Sequence, residues 1–188
     1  MKIIAVVIFI VAVGISESKS QSFAWGVGAE DAIPTGAWSN DYGNGIGGSG
    51  SFEFGIARIV NGYVRVGYLK FSQKQVQQLG YYDLQSGTYF DFGNLTYHAS
   101  FWSFLAGAKV GFGGPYLAIE MGYYAISAHY DFGGDTYDES GLGGFGIAPA
   151  VGYEFGVSEF MAIDLSAKYA IVKSSNHLGI RAGVKFGI

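Results

Sequence analysis

Ten charged residues fall on the small-residue side of alternating segments and pose the first chemical question: Glu30, Glu53, Glu120, Glu154 and Asp164 against Arg65, Lys109, Lys168, Arg181 and Lys185. Five carboxylates facing five cations can pair and hold a fold together, line an ion path, or supply a carboxylate set for acid–base work. Charges withdrawn from water persist when paired, and equal numbers of each sign favour the first use. A second candidate is His98 with Ser100. Two positions apart on an extended strand, they share a face, and together they hold the elements of nucleophilic catalysis, with the hydroxyl as nucleophile and the imidazole as base. A third is the acidic run containing Asp131, Asp135, Asp138 and Glu139. Its oxygens suit a hard cation, but the spacing is not that of an EF-hand loop, which favours a solvated loop. No metal site and no cofactor is expected.

The elements that must position these groups are clearest from Trp102 to Tyr123. Trp102, Phe104, Ala106, Ala108, Val110 and Phe112 share one face, and Ser103, Leu105, Gly107, Lys109 and Gly111 the other. That period of two marks a strand. Gly113-Gly114, followed by Pro115, suits a primed hairpin turn. The return arm puts Leu117, Ile119, Met121 and Tyr123 on one face against Ala118, Glu120 and Gly122. With that turn as register, Val110 faces Leu117, Ala108 faces Ile119, Ala106 faces Met121, His98 faces His129 and Ser100 faces Ser127, while Lys109 and Glu120 lie diagonally on the opposite face. The wide apolar face recurs on most segments downstream, and no amphipathic helix offers to cover it. An apolar exterior around a polar interior predicts an eight-stranded antiparallel up-and-down transmembrane β-barrel.

The strands read as about 23–33, 47–58, 63–71, the central hairpin extended upward to about Tyr97 and Tyr130, Phe145 to Phe155, Met161 to Ile171 and Leu178 to Ile188. Asn61-Gly62 is a hairpin signal between the second and third. A two-residue turn there would place Phe54 and Ile56 with Leu69 and Gly67. A Gly bulge would instead align them with Tyr68 and Val66 and turn Arg65 inward, which keeps the apolar face continuous and is preferred. Residues 34–45 are dense in turn formers. Residues 72–94 alternate weakly and read as a large outer loop or an extended hairpin above the bilayer, in which Tyr81, Tyr82, Tyr89 and Phe90 offer a contact surface for an extracellular ligand. Long and short connections alternate, as a transmembrane barrel requires.

Residues 1–20 read as a secretory signal peptide: Met1-Lys2, an apolar run from Ile3 to Ile15, then small polar residues with Ser18 and Ser20 before a cleavage site at Gln21. Residues 21–188 form one barrel domain. The 31 glycines of 188 residues, interleaved with aromatics, fit the small interior positions of a tight barrel better than low complexity. The absence of Cys excludes a disulfide framework and a thiol nucleophile. A net charge of −4 with no basic cluster argues against nucleic acid.

The run Gly28-Ala29-Glu30-Asp31-Ala32-Ile33-Pro34-Thr35-Gly36 followed by residues 47–54, the segment Gly67-Tyr68-Leu69-Lys70-Phe71, and Arg181-Ala182-Gly183-Val184-Lys185-Phe186 resemble the bacterial outer-membrane β-barrel domain family. The resemblance implies an outer-membrane location, outer-membrane lipids as surroundings and the barrel-insertion machinery as a partner. Phe186-Gly187-Ile188 departs from the terminal aromatic that many such barrels present. An eight-stranded barrel is narrow enough to be filled by its own side chains, so the function read here is a filled, salt-bridged barrel, not an enzyme, with a structural or adhesive role through its outer loops. Two alternatives stay open. One is a narrow channel along the ten charges. The other is a lipid A acyl hydrolase, because His98 and Ser100 resemble the dyad of outer-membrane lipid A deacylases. That reading lacks an acid to orient the imidazole, since Glu120 points inward and lies far down its strand.

Overall fold

In the computed structural model, which describes residues 23–187 apart from 75, 76, 84, 86, 87, 133, 134, 142 and 174, the chain is a closed antiparallel barrel. The segment read as a signal peptide lies outside the described residues. The strands are β1 (Phe23–Pro34), β2 (Tyr42–Ala57), β3 (Val60–Gln73), β4 (Gln77–Asp83), β5 (Thr88–Gly111), β6 (Pro115–Phe132), β7 (Asp135–Ser140), β8 (Gly144–Ser158), β9 (Met161–Val172) and β10 (His177–Gly187), with a helical turn α1 (Trp38–Asp41) between β1 and β2. Eight of them form the ring, in the order β5-β3-β2-β1-β10-β9-β8-β6 and back to β5. The up-and-down barrel predicted from the alternation is therefore borne out.

β4 and β7 stand outside the ring. β4 pairs with the first residues of β5, from Gln77 opposite Leu95 to Asp83 opposite Thr88. β7 pairs with the end of β6, from Phe132 opposite Asp135 to Ser127 opposite Ser140. The segment 72–94 thus takes the extended-hairpin form, and the acidic segment 131–140, read as a loop, is largely a strand. Both outcomes, the first of them among the readings expected and the second a correction, have one cause. β5 and β6, at 24 and 18 residues, outgrow the 12 of β9 and 11 of β10, and the protruding edges need backbone partners.

The central hairpin follows the predicted register, with Val110 opposite Leu117, Ala108 opposite Ile119 and Ala106 opposite Met121. Its turn has positive φ at both Gly113 (78°) and Gly114 (141°), which glycine tolerates. The β2–β3 turn sits three residues earlier than Asn61-Gly62 suggested, at Arg58-Ile59, with a register shift between Gly55 and Ala57. That irregularity acts as the expected bulge. Phe52 lies opposite Val64 and Gly48 opposite Tyr68, so the apolar face is continuous and Arg65 is buried inside. β2 also begins earlier than expected, at Tyr42, after a second shift between Tyr42 and Gly45.

The outward face is apolar around the ring. Trp25, Val66, Trp102, Phe104, Leu117, Met121, Val151, Phe155, Leu165 and Ile180 are all exposed. The buried residues lie inside, as two stacked regions: ion pairs toward the short-turn end and an aromatic cluster toward the long-loop end.

Candidate functional site: the barrel interior and the outer rim

The ion pairs begin at the short-turn mouth. Lys109 Nζ lies 2.6 Å from Glu53 Oε1 and 2.7 Å from Glu154 Oε1, and Lys185 Nζ lies 2.6 Å from Glu53 Oε2 and 2.6 Å from Glu154 Oε1. Two cations and two carboxylates thus share one ring of contacts, to which Asn61 Nδ2 donates at 2.6 Å from Glu53 Oε1. Above it, Arg65 pairs with Glu120, whose Oε1 also accepts from the Tyr63 hydroxyl at 2.9 Å. Arg181 Nη1 reaches Asp164 Oδ2 at 2.5 Å and its Nε donates to Ser49 Oγ at 2.9 Å, while the Tyr116 hydroxyl donates to Asp164 Oδ1 at 2.7 Å. Higher still, Lys168 Nζ lies 2.8 Å from Glu30 Oε1 and 3.8 Å from Glu120 Oε2. The structure places all ten predicted interior charges inside the barrel and brings each within an ion pair.

The arrangement depends on pairing long side chains with residues that have none. A Cβ on Gly107 would sit 2.7 Å from the Tyr63 ring, one on Gly152 2.3 Å from the Tyr116 ring, and one on Gly28 2.8 Å from the Arg181 guanidinium. Lys109 lies 5.0 Å from the Tyr116 ring centroid and Arg65 5.2 Å from that of Tyr63, so both cations also meet aromatic faces. Between the layers a cavity of about 20 Å³ touches Ser51, Tyr63, Arg65, Tyr116, Glu120 and Ser166, room for about one water.

Toward the long-loop end the interior turns aromatic. Trp38 of α1 stacks on Tyr42 at 4.0 Å and meets the edges of Phe71 and Phe101 at 6.1 and 5.5 Å. His177 lies under them, edge-on to Phe71, Phe101 and Tyr124 and fully buried. This plug was not anticipated from the sequence, nor were Tyr63, Tyr116, Ser49 and Asn61 as partners of the charges. Parity would have found part of it, because counting down in twos from Lys109 along β5 turns Leu105, Ser103 and Phe101 inward, and all are buried.

On the outer surface the His98 ring stacks on His129 at 4.7 Å and Ser100 lies opposite Ser127, as expected. Ser100 Oγ is 3.2 Å from the Tyr68 hydroxyl. The register corrects one expectation, because Asp138 of β7 occupies the position opposite His129, so an acid does stand on the His98–His129 row. The side chains of Asp135, Asp138 and Glu139 lie outside the described residues, as do those of Tyr81, Tyr82, Tyr89 and Phe90, whose backbones pair as Tyr81 opposite Phe90 and Tyr82 opposite Tyr89. Among the described residues, no group of three or more His, Cys, Asp or Glu side chains is placed to hold a metal ion.

No protein-family model and no curated protein matches this sequence. Its structure is similar to solved ones. Ail, the attachment invasion locus protein of Yersinia pestis, superposes with a TM-score of 0.62 at 11% identity, covering 90% of this chain and 99% of that one. Neisserial surface protein A gives 0.56 at 13% identity, over 89% and 99%. OprG from Pseudomonas aeruginosa gives 0.52 at 9% identity, over 93% and 99%. At these identities the likeness is one of fold.

Proposed function

We propose that this chain, which has the fold of the small eight-stranded outer-membrane β-barrels, sits in a bacterial outer membrane as a closed, non-conducting barrel and works through the surface its strands raise on the long-loop side. Residues 1–20 direct it across the inner membrane, the barrel-insertion machinery places it, and outer-membrane lipids cover its apolar band. One observation carries the reading: the interior is filled at two levels, by ion pairs below and by the aromatic plug above. A lumen built this way stabilises a scaffold and leaves no continuous aqueous path, since an eight-stranded barrel is only wide enough for its own side chains.

The tall β4–β5–β6–β7 wall is then the working surface, with an adhesive or ligand-binding role. Ail, one of the similar proteins, is named for attachment and invasion and has been crystallised with a heparin analogue, sucrose octasulfate. For this chain, a net charge of −4 and the acidic residues Asp131, Asp135, Asp138 and Glu139 favour a neutral or cationic extracellular ligand over a sulfated one. The test is single-channel recording in planar bilayers on protein whose gel mobility shows it folded. Silence is expected. A steady, sizeable current would mean that the ten charges line a path and would overturn the filled-barrel reading.

A further inference from the structure

An acid breaks the apolar outward face on the side away from the tall wall. On β1 that face runs Trp25, Val27, Ala29, Asp31 and Ile33, so Asp31 points out while its neighbour Glu30 is buried inside. Asp31 is half-buried between its ladder partners, Ile180 of β10 and Ile46 of β2, and Ile46 is 72% exposed. Next along the same row, opposite Ile46 on β3, comes Lys70, which is exposed. Among the described residues, neither the Asp31 carboxylate nor the Lys70 ammonium has a hydrogen bond or ion pair. They do not meet each other, because two strand spacings hold their backbones roughly 10 Å apart and Ile46 stands between them. The level is costly for a lone acid. Asp31 is six residues along β1 from Trp25, roughly 15 Å higher on a tilted strand and inside an apolar band about 25 Å tall. Exposed Ile33 and Leu178 continue that band above it. Ionisable groups at such depth face a partner.

We propose that this face binds a second copy of the chain, about a two-fold axis that runs along the membrane normal beside Ile46. The inference rests on the outer-membrane reading, which fixes the direction of the axis. Such an axis sets β1 of each copy against β3 of the other. Asp31 of one copy then meets Lys70 of the second, Lys70 of the first meets Asp31 of the second, and the two Ile46 side chains touch at the centre. Strand tilt inclines the row, so the paired charges differ in height by roughly 6 Å, a gap that the flexible four-carbon stem of lysine spans. The row is thus complementary to itself under the symmetry that a membrane allows two parallel copies, and one contact satisfies both charges. Below Ile46 the surface is low: Gly48 lies between Ala29 and Tyr68, and Gly50 between Val27 and Val66. That lets the copies approach closely, and close packing is what drives association in lipid. β3 separates β2 from β5 in the ring, so the tall walls stay uncovered and the dimer displays two of them for bivalent attachment.

The experiment introduces Ile46→Cys into the full chain, which has no cysteine of its own, and oxidises it in dilute lipid vesicles once unheated gels show the barrel folded. A disulfide-linked dimer is expected. Val151→Cys, exposed on β8 across the ring from β2, is expected to link only at the level of random collision. In the Ile46→Cys chain, Asp31→Lys or Lys70→Asp should cut dimer formation about tenfold, since either reversal sets like charges together in both pairs. The double reversal should restore it. Where a reversal hinders insertion, Asp31→Asn and Lys70→Gln read the same loss. Equal linkage at Ile46→Cys and Val151→Cys, indifference to the charge changes, or no rescue by the double reversal would each overturn the dimer while leaving the barrel reading intact. Linkage of Ile46→Cys in expressing cells to a different protein, in place of a second copy, would overturn it as well. Failure of the wild-type chain to enter bilayers would instead remove the outer-membrane reading and the interface with it.

Discussion

Replacing Glu120 with Ala should cost the barrel about 3–5 kcal/mol, the range for removing one partner of a buried ion pair. Glu120 is completely buried and its carboxylate receives three groups: Arg65, the Tyr63 hydroxyl at 2.9 Å and Lys168 at 3.8 Å. Their losses are unequal. Lys168 keeps Glu30 at 2.8 Å and is little affected. Tyr63 loses a hydrogen bond to a charged acceptor, worth about 1.5–3 kcal/mol, which overlaps the main loss and does not add to it in full. Arg65, only 8% exposed, is left as a charge in the interior, and that penalty dominates. A total stability of about 5–15 kcal/mol would fall by about a fifth or more. Equilibrium urea unfolding in lipid vesicles, read from the folded and unfolded bands of unheated gels, measures it. Glu120→Gln should lie between, since it keeps an acceptor for Tyr63 but not the charge. The double variant Arg65→Met with Glu120→Met should recover most of the loss, because no lone charge remains. A Glu120→Ala barrel within about 0.5 kcal/mol of wild type, especially one with increased conductance, would show that water already solvates Arg65 and that the interior conducts.

Phe101→Ala, at a side chain 1% exposed, should destabilise by about 3–5 kcal/mol yet leave the barrel silent in planar bilayers, since the ion pairs below the plug are untouched; current from this variant alone would make the plug a gate. Gly122→Ala brings a Cβ within 2.0 Å of the Phe104 carbonyl oxygen, whereas the same change at Gly50 meets nothing within 4 Å. The first should lose about 1–3 kcal/mol or more to overpacking and the second should not, as the folded fraction on unheated gels will show. Ser100→Ala should leave the lipid A mass spectrum of co-expressing cells unchanged from wild type, with both lacking deacylated species; deacylation that disappears in this variant would establish the hydrolase.

The strands could be read from the sequence because a small or charged residue on one face alternated with a bulky one on the other, as in Ala118 to Tyr123 or Leu178 to Phe186. The signal fades where both faces are bulky. Phe101-Trp102 and Tyr123-Tyr124 each place one ring outside and one inside, so the aromatic plug hides within an apparently continuous apolar run. Trp38, its cap, lies in a stretch whose composition says only turn. Parity assigned the ten charges to the interior, but their pairing depends on ladder stagger, which brings Lys109 to Glu53 and Glu154 on strands distant in sequence. The Arg58-Ile59 turn was hidden behind a stronger local signal at Asn61-Gly62, which became part of β3, with Asn61 held by Glu53. β4 and β7 exist because neighbouring strands outgrow the ring, a property of the sheet more than of their own residues.

The ladders also differ in when they can form. Seven joins of the ring link strands that follow one another along the chain, directly or through an outer arm, and can zip as hairpins; β1 with β10 joins opposite ends of the described chain. Its closure entropy exceeds that of any hairpin, so it should be the last join made and the first to open, and until then β1 and β10 are bare edges able to pair with a second chain. The interior carries a clasp for that seam. Arg181 starts on β10, passes over the bare Cα of Gly28 on β1 and reaches Ser49 on β2, held from β9 by Asp164, while Lys168 of β9 reaches Glu30 of β1. The Arg181–Asp164 pair can form within the β9–β10 hairpin, but the Arg181–Ser49 and Lys168–Glu30 bonds cross the seam and can form only after the ring closes, so they slow its reopening without hastening its assembly. On this account the Arg181–Ser49 and Lys168–Glu30 bonds set the lifetime of the folded barrel more than its rate of formation.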